Sequence, residues 1–328
     1  MFIKKVNLIC VLSMLVFLSA CASAGLHDEN ANASAEPSVQ TLSTLQPAAG
    51  HLLLDYIPEP IPTINAQLPQ KINSPIWRQN RALGYDLDIE RPKIVVVIDD
   101  LGLNQKRSNA VVDLPGPLTL SYLPYSDNLH KQTHRAKGQG HELMVHMPMQ
   151  PLSKKANPGP NALLADLSES ELLERIENNL SAFDGYVGIN NHMGSAFTQD
   201  AEGLKVLMSE LQKRDVLYLD SRTSPASIAE NMARLYSVAT TNRDVFIDHE
   251  NTPEFIESAL RKVEKTARRK GSAIAIGHPH PQTVDALKEW LPTLEAKGFQ
   301  LVPITAVVAE RDPRISHIFG RENLSSLK

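Results

Sequence analysis

Two adjacent carboxylates follow an apolar run in the stretch KIVVVIDDLGLN at residues 93–104. Five consecutive β-branched residues are typical of a strand buried in a parallel sheet. Asp99 and Asp100 then fall at the carboxyl end of that strand, where α/β folds place their chemistry. Because two like charges side by side cost free energy, we expect a cation to lie against them.

Titratable side chains also end several other apolar runs. A carboxylate with imidazole nitrogens is the ligand set of a catalytic zinc-type site, which keeps a position open for water. One aspartate can bind the ion while its neighbour, facing differently because strand side chains alternate, takes a proton from the attacking water. The polar residues at these strand ends are Asp99, Asp100, His146, Asn190, Asn191, His192, Asp220, His278 and His280.

The elements that would position these residues are short strands alternating with amphipathic helices. Eight apolar runs predict eight strands and a parallel sheet. No GxGxxG or GxxxxGK loop follows any of them, so we expect a closed or distorted (β/α) barrel of seven or eight units, not an open nucleotide-binding sheet. The runs are KIVVVI, LTLSYL, ELMVHM, YVGIN, VLYLD, DVFI, AIAIG and FQLVPI.

The segment before the predicted barrel is typical of an exported lipoprotein. Lys4 and Lys5 precede an apolar run that ends in LSAC, which resembles a bacterial lipobox, so we expect cleavage after residue 20 and lipid on Cys21. Ala22 follows, which favours the outer membrane and the periplasm. A plain secretory signal with an incidental cysteine is the alternative.

The rest of the chain divides by composition. Residues 21–50 are rich in Ala, Ser, Asn and Gln and predict a disordered tether, and the proline-rich residues 51–91 predict an extended strap anchored by Trp77. The barrel then occupies residues 92–310, and residues 311–328 form a tail.

Charge and cysteine content exclude some functions. The formal charge of −4 provides no basic surface for nucleic acid, and removal of the signal would lower it to −6. The chain has two cysteines, Cys10 in the signal and Cys21, so the mature domain would carry no disulfide. An acidic protein of this kind also repels anionic partners at long range.

Five motifs in order resemble those of the divergent polysaccharide deacetylases, a branch of the metal-dependent polysaccharide deacetylase superfamily. The resemblance covers about residues 93–309. It implies a distorted (β/α) barrel, a divalent metal that is usually zinc, and hydrolysis of N-acetyl groups on an amino-sugar polymer such as peptidoglycan. The motifs are VVVIDDLG, GHELMVHMPMQP, GINNHMGSAFT, LYLDSRTS and AIAIGHPHPQT.

The resemblance also implies roles for single residues. Asp99 resembles the catalytic base, Asp100 the metal carboxylate and His146 the first histidine of a His-x-x-x-His pair. His278 matches the last motif, where an imidazole can protonate the departing amine, since an amine leaves an acetamide badly unless protonated.

The chain departs from the family pattern at the second histidine, where it has Gln150. Since Gln is a poor zinc ligand, we infer that His192 supplies the missing nitrogen. His280 could complete the metal site, while His141 is more typical of a turn. Four further residues could either orient the metal ligands or replace one of them: Asn191, Asp220, His280 and His141.

These residues leave three hypotheses open. The first is a metal-dependent deacetylase of an envelope glycan. The second is a non-catalytic protein of the same fold that binds glycan or protein, because the second histidine is missing. The third is another metal hydrolase, such as an esterase. Each polar strand end could also be only structural, as a helix cap or a loop hydrogen-bonding residue.

Overall fold

The computed structural model describes residues 75–82, 87–88 and 90–311. The predicted signal, Cys21 and the tether lie outside these residues, as does most of the predicted strap. Trp77, its expected anchor, is buried with 5% of its surface exposed, and its backbone N–H donates to the Asp215 carbonyl at 3.1 Å. Within the described residues, no helix combines the length and apolar character needed to cross a bilayer.

One parallel sheet of nine strands organises the described part of the chain, in the order β6-β5-β4-β3-β2-β1-β8-β7, with β9 beside β1. Among these residues β6 and β7 end the order and do not pair with each other, so the barrel is open on one side. This confirms the predicted distorted (β/α) barrel. The strands are β1 Lys93–Leu101, β2 Thr119–Tyr122, β3 Glu142–Met149, β4 Gly188–Met193, β5 Leu217–Asp220, β6 Thr240–Asn242, β7 Val245–Phe246, β8 Ser272–Gly277 and β9 Gln300–Leu301.

Helices connect the strands and begin where the sequence supplies caps. The Ser168 hydroxyl accepts from the backbone N–H of Glu171, whose carboxylate accepts from the Ser168 backbone in return, so a capping box begins α4. The helices are α1 Ile76–Gln79, α2 Gln105–Val112, α3 Leu129–Gly138, α4 Glu169–Leu180, α5 Ala201–Lys213, α6 Ala229–Leu235, α7 Pro253–Lys270, α8 Pro281–Trp290 and α9 Ile304–Arg311.

Strand β1 shows why the carboxylate doublet reaches one site. Its residues alternate between two apolar clusters, with Val95 and Val97 on the face that α9 and Trp77 cover. Asp99 continues the alternation of Val95 and Val97. Asp100 has a φ of 58°, and the pairing of β1 with β2 shifts register beyond Ile98. This turn of the backbone interrupts the alternation at the doublet.

One strand and one boundary differ from the prediction. Strand β6, with the sequence TTN, has no apolar run and was not expected. Arg311, placed by sequence in the tail, ends α9, and its Nη2 donates to Asp244 Oδ2 at 2.7 Å. The folded part therefore reaches at least one residue beyond the predicted boundary.

Candidate metal centre and active site

The carboxyl ends of the strands form a cleft of about 460 Å³. It is lined by all five residues predicted from sequence to carry the reaction: Asp99, Asp100, His146, His192 and His278. The clustering follows from the parallel sheet, since the carboxyl ends of its strands lie along one edge.

Asp100, His146 and His192 form a candidate metal cluster. Asp100 Oδ1 lies 3.2 Å from His146 Nε2 and 2.9 Å from His192 Nδ1. This buried oxygen nevertheless accepts no hydrogen bond of good geometry, and the three ligand atoms lie within 4.8 Å of one another. A carboxylate oxygen and two ring nitrogens that converge in this way suit a divalent cation, and one carboxylate with two imidazoles is a ligand set that zinc uses. These residues therefore fit the metal that the family implies.

The two imidazoles also keep Asp100 ionised. Burial alone would raise the pKa of the Asp100 carboxyl, but contact with His146 and His192 outweighs it and holds that pKa well below its usual value. A carboxylate must be deprotonated to bind a metal ion. The site therefore keeps Asp100 in its ligating form over the whole physiological pH range.

Asn190, opposite His146 in the sheet pairing, orients two of the functional groups. It is completely buried, and its Nδ2 donates to Asp99 Oδ1 at 2.7 Å. Its Oδ1 accepts from the Ser121 hydroxyl at 2.5 Å and lies 2.9 Å from His146 Nδ1. An amide oxygen only accepts, so His146 Nδ1 carries a proton, which leaves Nε2 as the nitrogen that faces Asp100 and could bind a metal ion.

Asp99 has the environment of a general base. Only 3% of its surface is exposed, and its Oδ2 lies 3.8 Å from His146 Nε2. Burial raises the pKa of the Asp99 carboxyl, and the nearby imidazoles of His146 and His278 only partly offset this. A carboxylate whose pKa is raised takes a proton more readily than a solvated aspartate does.

His278 has a carboxylate partner that the sequence reasoning missed. Asp248 Oδ1 lies 3.0 Å from His278 Nδ1, and Oδ2 accepts from the His278 backbone N–H at 2.7 Å. Burial lowers the pKa of the His278 imidazole, but Asp248 outweighs it and raises that pKa to about 9. The sequence pattern that could have identified Asp248 is DVFID, an apolar run that ends in an aspartate, as VVVIDD does.

Asn191 and Asp220 support the loop after β5. Asn191 lines the cleft, but its Oδ1 accepts from the Ser221 backbone N–H at 2.9 Å and its Nδ2 donates to the Met193 carbonyl at 2.8 Å. Asp220 accepts from the Ser227 hydroxyl at 2.7 Å. Both side chains thus hold protein groups and do not join the cluster around Asp100.

The two remaining histidine candidates also lie outside that cluster. His280 groups with Asp248 and His278 instead. His141 is wrong as an alternative ligand, because it precedes β3 and lies at the other end of that strand. Its Nδ1 accepts from the Leu118 backbone N–H at 3.1 Å, and its Nε2 lies 3.0 Å from the Val112 carbonyl.

Gln150 holds loops together outside the cleft. Its Oε1 accepts from the Ala165 backbone N–H at 2.7 Å, and its carbonyl accepts from the Ala196 N–H at 3.0 Å. The side chain at the family's second histidine position therefore has a structural role here. His192, from β4, brings the second imidazole nitrogen to Asp100.

The family model of divergent polysaccharide deacetylases matches residues 96–308, which contain the cleft. The chain belongs to this family. Two curated relatives of this chain are both uncharacterized. One, from Haemophilus influenzae, is 33% identical over 222 residues, which are 67% of this chain and 78% of the relative. The other, YibQ from Escherichia coli K12, is 35% identical over 202 residues, 62% of this chain and 63% of the relative.

A solved structure has the same fold. It is that of an uncharacterized protein from Agrobacterium tumefaciens C58, which superposes with a TM-score of 0.69 and is 27% identical. The match covers 71% of this chain and 95% of the other chain. The similarity thus includes nearly all of that protein.

Proposed function

We propose that this chain is a metal-dependent hydrolase that removes N-acetyl groups from an amino-sugar polysaccharide of the bacterial envelope. The observation that carries the proposal is the contact of the candidate metal cluster with both a base and an acid. His146 Nε2 lies 3.8 Å from Asp99 Oδ2, and His278 Nε2 lies 3.9 Å from Asp100 Oδ2. An amide hydrolase of this kind needs a metal ion, a general base and a general acid at the same carbonyl.

A divalent ion held by Asp100, His146 and His192 would polarise the acetyl carbonyl and acidify water. Asp99 takes one proton from the attacking water as its oxygen bonds to the carbonyl carbon. His278, protonated near neutral pH, donates the proton on Nε2 to the sugar nitrogen as the C–N bond breaks. Asp248 holds the proton on Nδ1, so the ring presents Nε2 to the substrate. The products are acetate and a free amino sugar.

The alternative is a non-catalytic glycan- or protein-binding member of the same fold. Its support is Gln150, which occupies the second histidine position and lies outside the cleft. The position of His192 Nδ1, 2.9 Å from Asp100 Oδ1, favours the catalytic proposal because the nitrogen that Gln150 lacks comes from another strand.

Substitution of Asp99 tests the proposal. Asp99→Asn is nearly isosteric and leaves Asp100 in place, so metal content should persist while acetate release falls about 10²–10⁴-fold. Asp100→Ala should lose both. The assay measures acetate from N-acetylated envelope oligomers with zinc or cobalt supplied, and metal content by elemental analysis. Wild-type protein that binds metal, releases no acetate from any envelope glycan and retains its cellular role after Asp99→Asn would leave the binding alternative.

We also propose that the protein acts in the periplasm, anchored to the outer membrane by lipid on Cys21. The support is the LSAC sequence before an alanine-rich segment. A soluble periplasmic or secreted protein is the alternative. An envelope glycan would then be within reach of the cleft.

A further inference from the structure

Two arginines line the same cleft as the candidate metal cluster. Arg222 follows β5 and Arg243 follows β6. The whole chain has a formal net charge of −4, so two cationic side chains together at this cleft contrast with its overall negative charge. The deacetylation chemistry above uses neither of them.

Arg243 is held rigidly by protein groups on one side. Its Nε donates to the Ser221 carbonyl at 2.7 Å and its Nη2 to the Arg222 carbonyl at 2.9 Å. The guanidinium lies 5.0 Å from the centre of the Phe246 ring, within cation–π range. Nη1 makes no hydrogen bond to any described residue. A fixed guanidinium therefore retains unused donors in the cleft.

The backbone of Arg222 is held by a hydrogen bond, whereas its side chain forms none with the described residues. Its N–H donates to Asp220 Oδ1 at 2.7 Å, and its φ of 50° is uncommon for an arginine. The residue is exposed, and its side chain makes no ion pair or hydrogen bond with the described residues. Because Arg243 binds its carbonyl, the two cationic residues are coupled. The charge of Arg222 disfavours that of Arg243, and the nearby carboxylates of Asp99 and Asp220 offset this repulsion at Arg243.

We propose that Arg222 and Arg243 bind a carboxylate carried by the glycan, so that the substrate is an acidic amino-sugar polymer. This inference rests on the proposed function and narrows its substrate class. Guanidinium groups recognise planar carboxylates through paired, charge-assisted hydrogen bonds. The Phe246 ring in the same cleft provides apolar area for the sugar itself. An anion held by both arginines would lie in the same cleft as the candidate metal cluster, so a substrate in that cleft could carry it.

Binding measurements test the inference without depending on turnover. The ligands are three oligomers of equal length: neutral N-acetylglucosamine, the same chain with O-lactyl carboxylates on alternate sugars, and its carboxamide counterpart. In the Asp99→Asn background, with zinc supplied, calorimetry should show that the carboxylate oligomer binds about tenfold more tightly than the carboxamide.

Matched arginine variants locate the effect. Arg222→Gln should bring the carboxylate-to-carboxamide affinity ratio close to one. The fold should persist because the exposed Arg222 side chain makes no hydrogen bond or ion pair with a described residue. Arg269→Gln, an exposed arginine in the last turn of α7, should retain the full ratio. Equal affinities in the parent protein, or a ratio that survives Arg222→Gln, would overturn the inference. Tighter binding of a phosphate-bearing oligomer would overturn the choice of carboxylate.

Failure of the inference and failure of the proposed function give different results. Equal acetate release from neutral and carboxylate oligomers, with equal binding, would reject the carboxylate site and leave the deacetylase proposal intact. Binding that depends on Arg222 and the carboxylate, without acetate release from any oligomer, would reject the deacetylase proposal and support the carboxylate site.

Discussion

Asp248 fixes both the orientation and the protonation of His278. Its Oδ1 lies 3.0 Å from His278 Nδ1, while its Oδ2 accepts from the His278 backbone N–H at 2.7 Å and from the Thr283 hydroxyl at 2.8 Å. The Oδ1 contact favours a proton on Nδ1, and the two hydrogen bonds to Oδ2 hold the carboxylate in place. The pKa of His278, raised to about 9, keeps Nε2 protonated near neutral pH, as a general acid requires.

Asp248→Asn should move the alkaline limit of activity to lower pH. A general acid works only when protonated, so wild-type kcat/KM should fall as pH rises through about 9. Without the carboxylate, burial lowers the pKa of His278, and the fall should come earlier. An NMR titration of the imidazole and a pH profile of kcat/KM measure both effects. His280→Gln, the matched control, should leave the profile in place, and an alkaline limit unmoved by Asp248→Asn would contradict this role.

His192→Ala should remove most of the bound metal. The substitution removes one of two imidazoles near Asp100, and one carboxylate with one imidazole is too small a ligand set for a stable zinc site. Elemental analysis of purified protein measures the loss. Gln150→Ala is the control. Gln150 is not a metal ligand, and the hydrogen bond that its side chain makes in the loop contributes only about 1 kcal/mol to stability. Full metal content in His192→Ala would instead point to another nitrogen, such as that of His280.

Asn190→Ala should weaken metal binding although Asn190 is not a ligand. His146 would lose the acceptor on Nδ1 that fixes its tautomer, and losing such a partner typically costs about 10–100-fold in metal affinity. Asp99 would also lose a donor, so its pKa should rise further. Competition with a chelator gives the affinity. An affinity equal to wild type, in a protein whose thermal melt shows it is folded, would contradict this role for Asn190.

Glu142→Gln should flatten the dependence of stability on pH. Glu142 Oε1 accepts from the Ala82 N–H at 3.0 Å and from the Thr305 hydroxyl, and Oε2 accepts from the Thr305 N–H at 3.2 Å. Burial raises its pKa to about 7, from 4.5. The folded state therefore binds a proton more tightly than the unfolded state. The resulting stability is present below pH 4.5 and is lost as pH rises through about 7.

Urea melts between pH 4 and 8 measure this contribution. Wild type should lose stability with a slope of up to about 1.4 kcal/mol per pH unit from this one carboxyl, and Glu142→Gln should lack that part of the slope. The slope is the readout, because the amide also changes hydrogen bonds to Thr305. Identical slopes in the two proteins would show that Glu142 titrates normally.

Cys21→Ser should release the protein from the outer membrane or misplace it. Without the thiol no lipid can be attached, and residues 22–50 contain no apolar run that could anchor the mature protein instead. Membrane fractionation and mass measurement of the mature N-terminus test this. The purified variant should melt like wild type. Unchanged fractionation would reject the lipoprotein interpretation.

The sequence by itself determined the fold class and identified the main residues that line the cleft. An apolar run such as IVVVI forms a strand wherever a parallel sheet buries both of its faces, and a polar residue directly after it must lie at the sheet's carboxyl edge. Asp99, Asp100, His146, His192 and His278 all obey this rule. It needs only local order along the chain.

Only the tertiary structure decided which side chains meet. Asp248 and His278 are 30 residues apart, and Asn190 and Asp99 are 91 apart. Such pairs depend on strand order and on which face each residue takes. The turn at Asp100 interrupts the alternation of side chains along β1, which would otherwise predict the face on which Asp100 lies. Strand β6 is too short and too polar to be recognised from sequence. Arg243 follows that strand, so its place beside the cleft could not be predicted from sequence. Hydrogen bonds between distant strand ends form only after packing has set their register, and no local pattern encodes them.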